Sequence, residues 1–225
     1  MRKFVTWLVV IAVLLLGLDF GARVIAEREI ATQLQKRGFP DKPSVSIAGF
    51  PFLPQAISRN IHQVTISSSD VPAGPVTITK VTAVLTGVHI NSGYNGATVD
   101  HVHGTAFISF GALDRAVTAQ AGGLAGVLVG GGLKLVPAGS HEVRASLNLL
   151  VETASATWRV VRLGGREIRV QLVSSSGLPS ALLNSVANID IPLSKLPIGL
   201  RVTSLVVTPA GVTGQLTGTN LTFGG

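Results

Sequence analysis

Period-two alternation dominates this chain from Ser44 onward, and it limits the fold more than any other feature. Val143, Ala145, Leu147 and Leu149 alternate with Glu142, Arg144, Ser146 and Asn148. Ala154, Ala156, Trp158 and Val160 alternate with Ser155, Thr157 and Arg159, and Ile168, Val170 and Leu172 alternate with Glu167, Arg169 and Gln171. Successive strand side chains point to opposite faces, so each run is a strand with one apolar face and one wet face. Antiparallel sheets carry this pattern, and the Gly164-Gly165 pair between the last two runs reads as a two-residue hairpin turn. Val76 to Ile90 and Leu200 to Phe223, the latter divided at Pro209-Ala210-Gly211, read as longer strands. A strand of about twelve residues covers roughly 40 Å, about twice the usual length in compact domains.

Helical signals are few. Phe110 to Gln120 places Leu113, Ala116 and Val117 on one face. Pro179 to Asn188 places Leu182, Leu183 and Val186 on one face behind a proline suited to a helix start. A third short turn begins at Pro54. Helices this short cannot cover a long apolar sheet face, which must therefore curl on itself, dimerise or hold something apolar. The fold class is α+β, built on an elongated, curved antiparallel sheet.

The N-terminus opens with Arg2 and Lys3, and Phe4 to Leu18 is apolar except for Thr6. A spanning helix wants about 20 apolar residues and a signal-peptide core about 7 to 15, so the segment sits on the boundary. Val24-Ile25-Ala26 offers a small-residue cleavage site, while Asp19 and Arg23 are awkward in a cleavage region. Ile25, Ile30 and Leu34 continue a helical pattern as far as Gly38 and Pro40. Residues 1–26 are thus a signal peptide or an N-terminal membrane anchor, with Arg2, Lys3 and Trp7 as anchoring residues. Residues 27–43 form a juxtamembrane helix and linker, and residues 44–225 a β-rich domain. In either case the positive N-terminus stays inside and the body is exported.

One stretch breaks the β pattern. "SIAGFPFLPQAI", residues 46–57, groups Phe50, Phe52 and Leu53 around Pro51, with Gly49 before and Pro54 after. Proline fixes φ and lacks a donor, so this knot is expected neither to continue a ladder nor to sit inside a helix. Its three large apolar side chains either plug one end of the core or form the lip of an apolar groove.

Signals for chemistry are weak. His101 and His103 share a strand face with Asp100 opposite, but a zinc site needs a third ligand, and His62, His89 and His141 have no ligand-like spacing. There is no cysteine, no Gly-x-Ser-x-Gly elbow and no nearby carboxylate pair. Ser67-Ser68-Ser69 and Ser174-Ser175-Ser176 are read as strand ends. "GGLAGVLVGGGLKLV", residues 122–136, lacks the Gly-Lys-Ser/Thr ending of a phosphate loop and is read as flanked by β-type sequence, its glycines serving bends in a curved sheet. The sequence therefore assigns no catalytic residue, no metal and no cofactor.

Composition narrows the partners. Hydrophobic residues make up 46% and charged residues only 13%, so an apolar ligand or surface fits better than a polar one. The net charge of +7 is scattered, and Arg159, Arg162, Arg166 and Arg169 form no stripe with interleaved aromatics, so nucleic acid is not expected. A weak attraction to anionic membrane surface is.

The N-terminal segment, "VSIAGFPFLPQ" at 45–55 and "LPIGLRVTSLVVTPAGVTGQLTGTNLTF" at 196–223 together resemble the LmeA-like phospholipid-binding proteins, over nearly the whole chain. The Gly-Phe-Pro-Phe-Leu core is the most specific piece. The resemblance implies a single unit of tubular lipid-binding architecture, in which a long curved sheet wraps a helix and encloses an apolar groove. It also implies phospholipid binding outside the cytoplasm in support of envelope lipid or glycolipid assembly, in the manner of envelope proteins of high-GC Gram-positive bacteria. The candidate lipid-contacting residues are Phe50, Phe52, Leu53, Leu113, Val117, Leu182, Leu183 and Val186. Phospholipid and the membrane surface are the expected partners, with an envelope-biosynthesis protein as a further one. The alternative is a non-enzymatic envelope scaffold whose apolar face meets a protein partner or a second copy.

Overall fold

The computed structural model describes residues 2–36, 39, 41–73, 76–121, 134–148, 153–163, 167–177, 188–192 and 200–224. The helices are α1 (Arg2–Lys36), α2 (Phe52–Ser58) and α3 (Phe110–Ala121). The strands are β1 (Ser44–Ala48), β2 (Asn60–Ala73), β3 (Val76–Ile90), β4 (Gly96–Ser109), β5 (Lys134–Gly139), β6 (Glu142–Asn148), β7 (Thr153–Leu163), β8 (Glu167–Ser176), β9 (Asn188–Pro192), β10 (Arg201–Thr208) and β11 (Gly211–Gly224). One sheet has the order β1-β2-β3-β4-β11-β10 and the other β5-β6-β7-β8-β9. The chain is α+β, as the alternation predicted.

The chain divides into two compact units. The first contains residues 1–68, 83–102 and 219–225, and the second residues 69–82 and 103–218. In the first unit β1 pairs antiparallel with β2, matching Ile47 with Val64 and Ser46 with Thr65. Ile47, Phe52, Ile61, Val64, Leu85, Val88, Val99, Val102 and Leu221 are buried there, and α1 packs on β1 and α2. Asn220 has φ 51, and the inward phase of β11 slips by one residue at that point, so that Leu221 is buried.

In the second unit β5 to β9 form an antiparallel meander with β6 matched to β7 (Ala145 to Ala156) and β7 to β8 (Val160 to Val170). Buried Val143, Val202, Leu205, Val207, Val212 and Leu216 make one cluster, and Phe110, Leu113, Leu135, Val160 and Ile168 pack against it. A bulge between Val202 and Ser204 carries the inward phase of β10 from Val202 to Leu205. The Arg162 guanidinium donates to the carbonyls of Val202 and Thr203, both at 2.9 Å, so carbonyls beside the bulge keep a partner.

α3 starts where its cap dictates. The Ser109 hydroxyl accepts the Ala112 N–H at 3.2 Å, and the Phe110 N–H donates to the Ala210 carbonyl at 3.2 Å. That turn constrains Gly211, which has φ 156; a Cβ there would overlap the Ile108 carbonyl oxygen and lie 2.8 Å from Ser109 Cα. Gly211→Ala is therefore expected to cost about 1–3 kcal/mol, the usual range for forced overpacking. Thermal unfolding checks this, and an unchanged midpoint would contradict the close approach.

Three expectations need correction, and a fourth falls outside the described residues. Pro54 lies inside α2 rather than starting it, because it occupies the first turn, where a missing N–H costs nothing. Ser67-Ser68-Ser69 lie within β2, with Ser67 opposite Ser44, so extended pairing overrides turn preference. The tract at 122–136 follows a helix, α3, rather than a strand; its residues 122–133 lie outside the described residues. The helix expected over Pro179 to Asn188 lies outside the described residues except for its last residue, Asn188, which opens β9.

Candidate functional site

The proline knot and α1 meet in the first unit, and the local chemistry explains nearly every residue of the knot. A helix leaves its first four N–H groups without intrahelical partners. For α2 these belong to Pro51, Phe52, Leu53 and Pro54, and the two prolines have none to satisfy. Pro51 is the N-cap and offers no side-chain hydrogen bond. The two remaining donors go to Asp19, whose Oδ2 accepts the Phe52 N–H at 2.9 Å and whose Oδ1 accepts the Leu53 N–H at 2.7 Å. Asp19 is only 6% exposed. A buried carboxylate needs such partners, and a helix start favours negative charge.

The rest of the knot is tied internally. Gly49 has φ 98, in the left-handed region, and a Cβ there would lie 2.7 Å from Gln55 Nε2. Gln55 is buried; its Nε2 donates to the Pro51 carbonyl at 3.2 Å and its Oε1 accepts the His62 N–H at 3.1 Å. The Phe50-Pro51 bond is cis. About two turns beyond Asp19, Glu27 Oε1 accepts the Ile47 N–H at 2.8 Å and pairs with Arg23 Nε at 2.9 Å. β1 lies at a sheet edge, so Glu27 supplies an acceptor to a strand whose outer groups lack a neighbouring ladder.

The three apolar residues of the knot separate. Phe52 is 5% exposed and belongs to the core, Leu53 is half-buried, and Phe50 is 72% exposed. Ile57, on α2, is 78% exposed. In the second unit Leu113 packs against the apolar cluster, and Val117 lies on α3 one turn later. Leu182, Leu183 and Val186 lie outside the described residues. Arg2, Lys3 and Trp7 all stand in the first turns of α1, Trp7 being exposed. The structure thus brings Phe52 and Leu53 together with Asp19.

Asp19, Glu27 and Gln55 were not expected from sequence as structural partners. The available signal was Asp19 itself, a charge set into an apolar run where neither a signal peptide nor a spanning helix wants one.

The histidines are solvated. His101 and His103 are exposed, and His89 stands between Asn60 Oδ1 at 2.8 Å and Asp100 Oδ2 at 3.3 Å on an exposed surface. Among the described residues no three His, Cys, Asp or Glu side chains are grouped to hold a metal ion.

Val9–Lys36 of α1 is long and apolar enough to cross a membrane, with a mean hydropathy of 2.2 over its most apolar window. The observed class is thus an α+β body with apolar strand faces, joined to a helix long and apolar enough to cross a membrane. The family model of LmeA-like phospholipid-binding proteins matches residues 17–217, and the chain belongs to that family. No curated protein and no solved structure matches it.

Proposed function

We propose that this chain is an extracytoplasmic phospholipid-binding protein without catalytic activity, which shelters acyl chains in an apolar groove of the tubular lipid-binding kind. Its family membership is the observation that carries this reading. The apolar cluster of the second unit, against which Phe110 and Leu113 of α3 pack, supports the reading by its largely aliphatic make-up. Leu113 and Val117 are the acyl-facing residues of α3 in this proposal, and Leu182, Leu183 and Val186, outside the described residues, are proposed lipid contacts from their sequence pattern alone.

The energetics favour such a shelter. A two-chain phospholipid has about 30 methylenes, each costing about 0.8 kcal/mol in water, so lifting it bare would cost roughly 24 kcal/mol. Smooth walls of Val, Leu and Ile offset most of that and accept many chain lengths, leaving selectivity to polar groups at the mouth. The N-terminal helix serves export or anchoring, with its positive end inside. The work of the protein is to support the assembly or maintenance of envelope lipid or glycolipid, beside biosynthetic partners.

Transfer of fluorescent phospholipid from vesicles to the purified full chain tests the reading, with light scattering on the same sample. A lipid-loaded monomer is expected. An obligate dimer that takes up no lipid would overturn it in favour of a scaffold that pairs through its apolar face.

A further inference from the structure

We infer that α1 is kept in the working protein as an anchor and that Asp19 fixes α2 at the outer surface of the bilayer, where Phe50 and Ile57 enter the lipid interface. This goes beyond lipid binding and does not depend on a lipid being held in the body.

The first part follows from where the body's hydrogen bonds go. Cleavage after Ala26 would remove Asp19, the acceptor for both donors at the start of α2, and Arg23, the partner of Glu27. A detachable leader has no reason to carry the cap of a helix 33 residues further along the chain. The family match begins at residue 17 and so includes this part of α1. Toward the N-terminus the helix is uncovered: Val9, Val10, Val13, Leu14, Leu15, Leu16 and Leu18 are each at least half exposed.

The second part is a matter of depth. Arg2 and Lys3 precede Phe4, and the next charge after Asp19 is Arg23. With the Asp19 carboxylate met by two N–H groups, the run from Phe4 to Ala22 spans about 28 Å at a rise of about 1.5 Å per residue, against a hydrocarbon thickness of about 30 Å. Asp19 then stands one turn inside the outer boundary, and α2, bonded directly to it, lies at that boundary. Phe50 and Ile57 are 72% and 78% exposed on the segment so held, and Phe20 and Leu18, which flank Asp19 on α1, are exposed as well. Among the described residues Phe52 packs in the core, Leu53 and Gln55 are held by hydrogen bonds, and the Phe50 side chain is left exposed. A bilayer is the occupant that meets α1 and these side chains together.

The absence of cysteine makes the test direct. Full-length Phe50→Cys and Ile57→Cys proteins, each carrying an environment-sensitive fluorophore, are reconstituted into phosphatidylglycerol–phosphatidylcholine vesicles. Quenching by a nitroxide placed on the upper acyl chain is expected to exceed quenching by aqueous iodide several-fold at both positions. The protein recovered from the membranes of its own cells is expected to have the mass of the chain with residues 17–26 present. Iodide quenching that dominates at both positions, or a membrane-bound mature form beginning after Ala26, would overturn the inference. Lipid uptake by the body in either event bears on the lipid-binding proposal separately.

Discussion

Phe52→Ala is expected to destabilise the chain by about 3–5 kcal/mol, the range for emptying a buried phenylalanine site. Phe52 is 5% exposed, and it sits at the first position of α2, where its N–H is held by Asp19. Removing the ring leaves a cavity between α2 and the buried residues of the first unit, and the bond to Asp19 cannot draw the backbone in to close it. Phe50→Ser, two residues away in the same knot, is expected to leave unfolding within about 0.5 kcal/mol of the parent, because a 72% exposed side chain contributes little to the core. Its effect falls on the membrane. Losing burial of one aromatic ring, at about 1.5–3 kcal/mol, weakens engagement of the knot with vesicles by roughly tenfold or more. Denaturant unfolding, and nitroxide quenching of a fluorophore at Ile57→Cys in vesicles, give opposite patterns on the two variants if the division is right. Similar losses of stability in both would mean that Phe50 also belongs to the core.

Asp19→Ala is expected to cost about 2–4 kcal/mol. Two charge-assisted bonds go, and the N–H groups of Phe52 and Leu53 are left without their acceptor at a buried helix start. Asp19→Asn keeps one acceptor oxygen and is expected to lose about half as much. The sign separates two roles for α1. Removing a carboxylate from an apolar helix makes membrane insertion easier, so a helix that only targets or anchors should tolerate or favour the change. A helix that also completes α2 should not. Amide hydrogen exchange at Phe52 and Leu53 reads the difference directly, and unchanged protection in Asp19→Ala would show that the cap has no energetic weight.

Much of the β structure was legible because a strand with one wet face writes its period into the sequence. β3 occupies Val76–Ile90 as the unbroken run indicated, β10 and β11 flank the Pro209-Ala210 turn, and α3 runs one residue past its expected end. β2 was harder. Its inward positions Ile61 and Val64 are three apart, and Ser67-Ser68-Ser69 imitate a turn, so neither period nor composition marked the strand. The knot was visible as an anomaly but not as a structure. Its explanation lies in a carboxylate 33 residues earlier, and no local pattern links Asp19 to Phe52. Pro54 misled for a related reason, since the rule against proline in helices lapses in the first turn. Phe50 and Phe52 look alike in sequence, and only the fold distinguishes the buried ring from the exposed one.

Lipid carriage is the central claim, and native mass spectrometry of the full chain, released gently from membranes and followed by solvent extraction of the bound material, meets it most directly. Truncation at residue 27 would be a poor choice, because it removes Asp19. The expected result is a monomer carrying one phospholipid in stoichiometric amount, with the class of headgroup read from the extract. A monomer that emerges empty and stays empty after incubation with phospholipid vesicles would contradict the account.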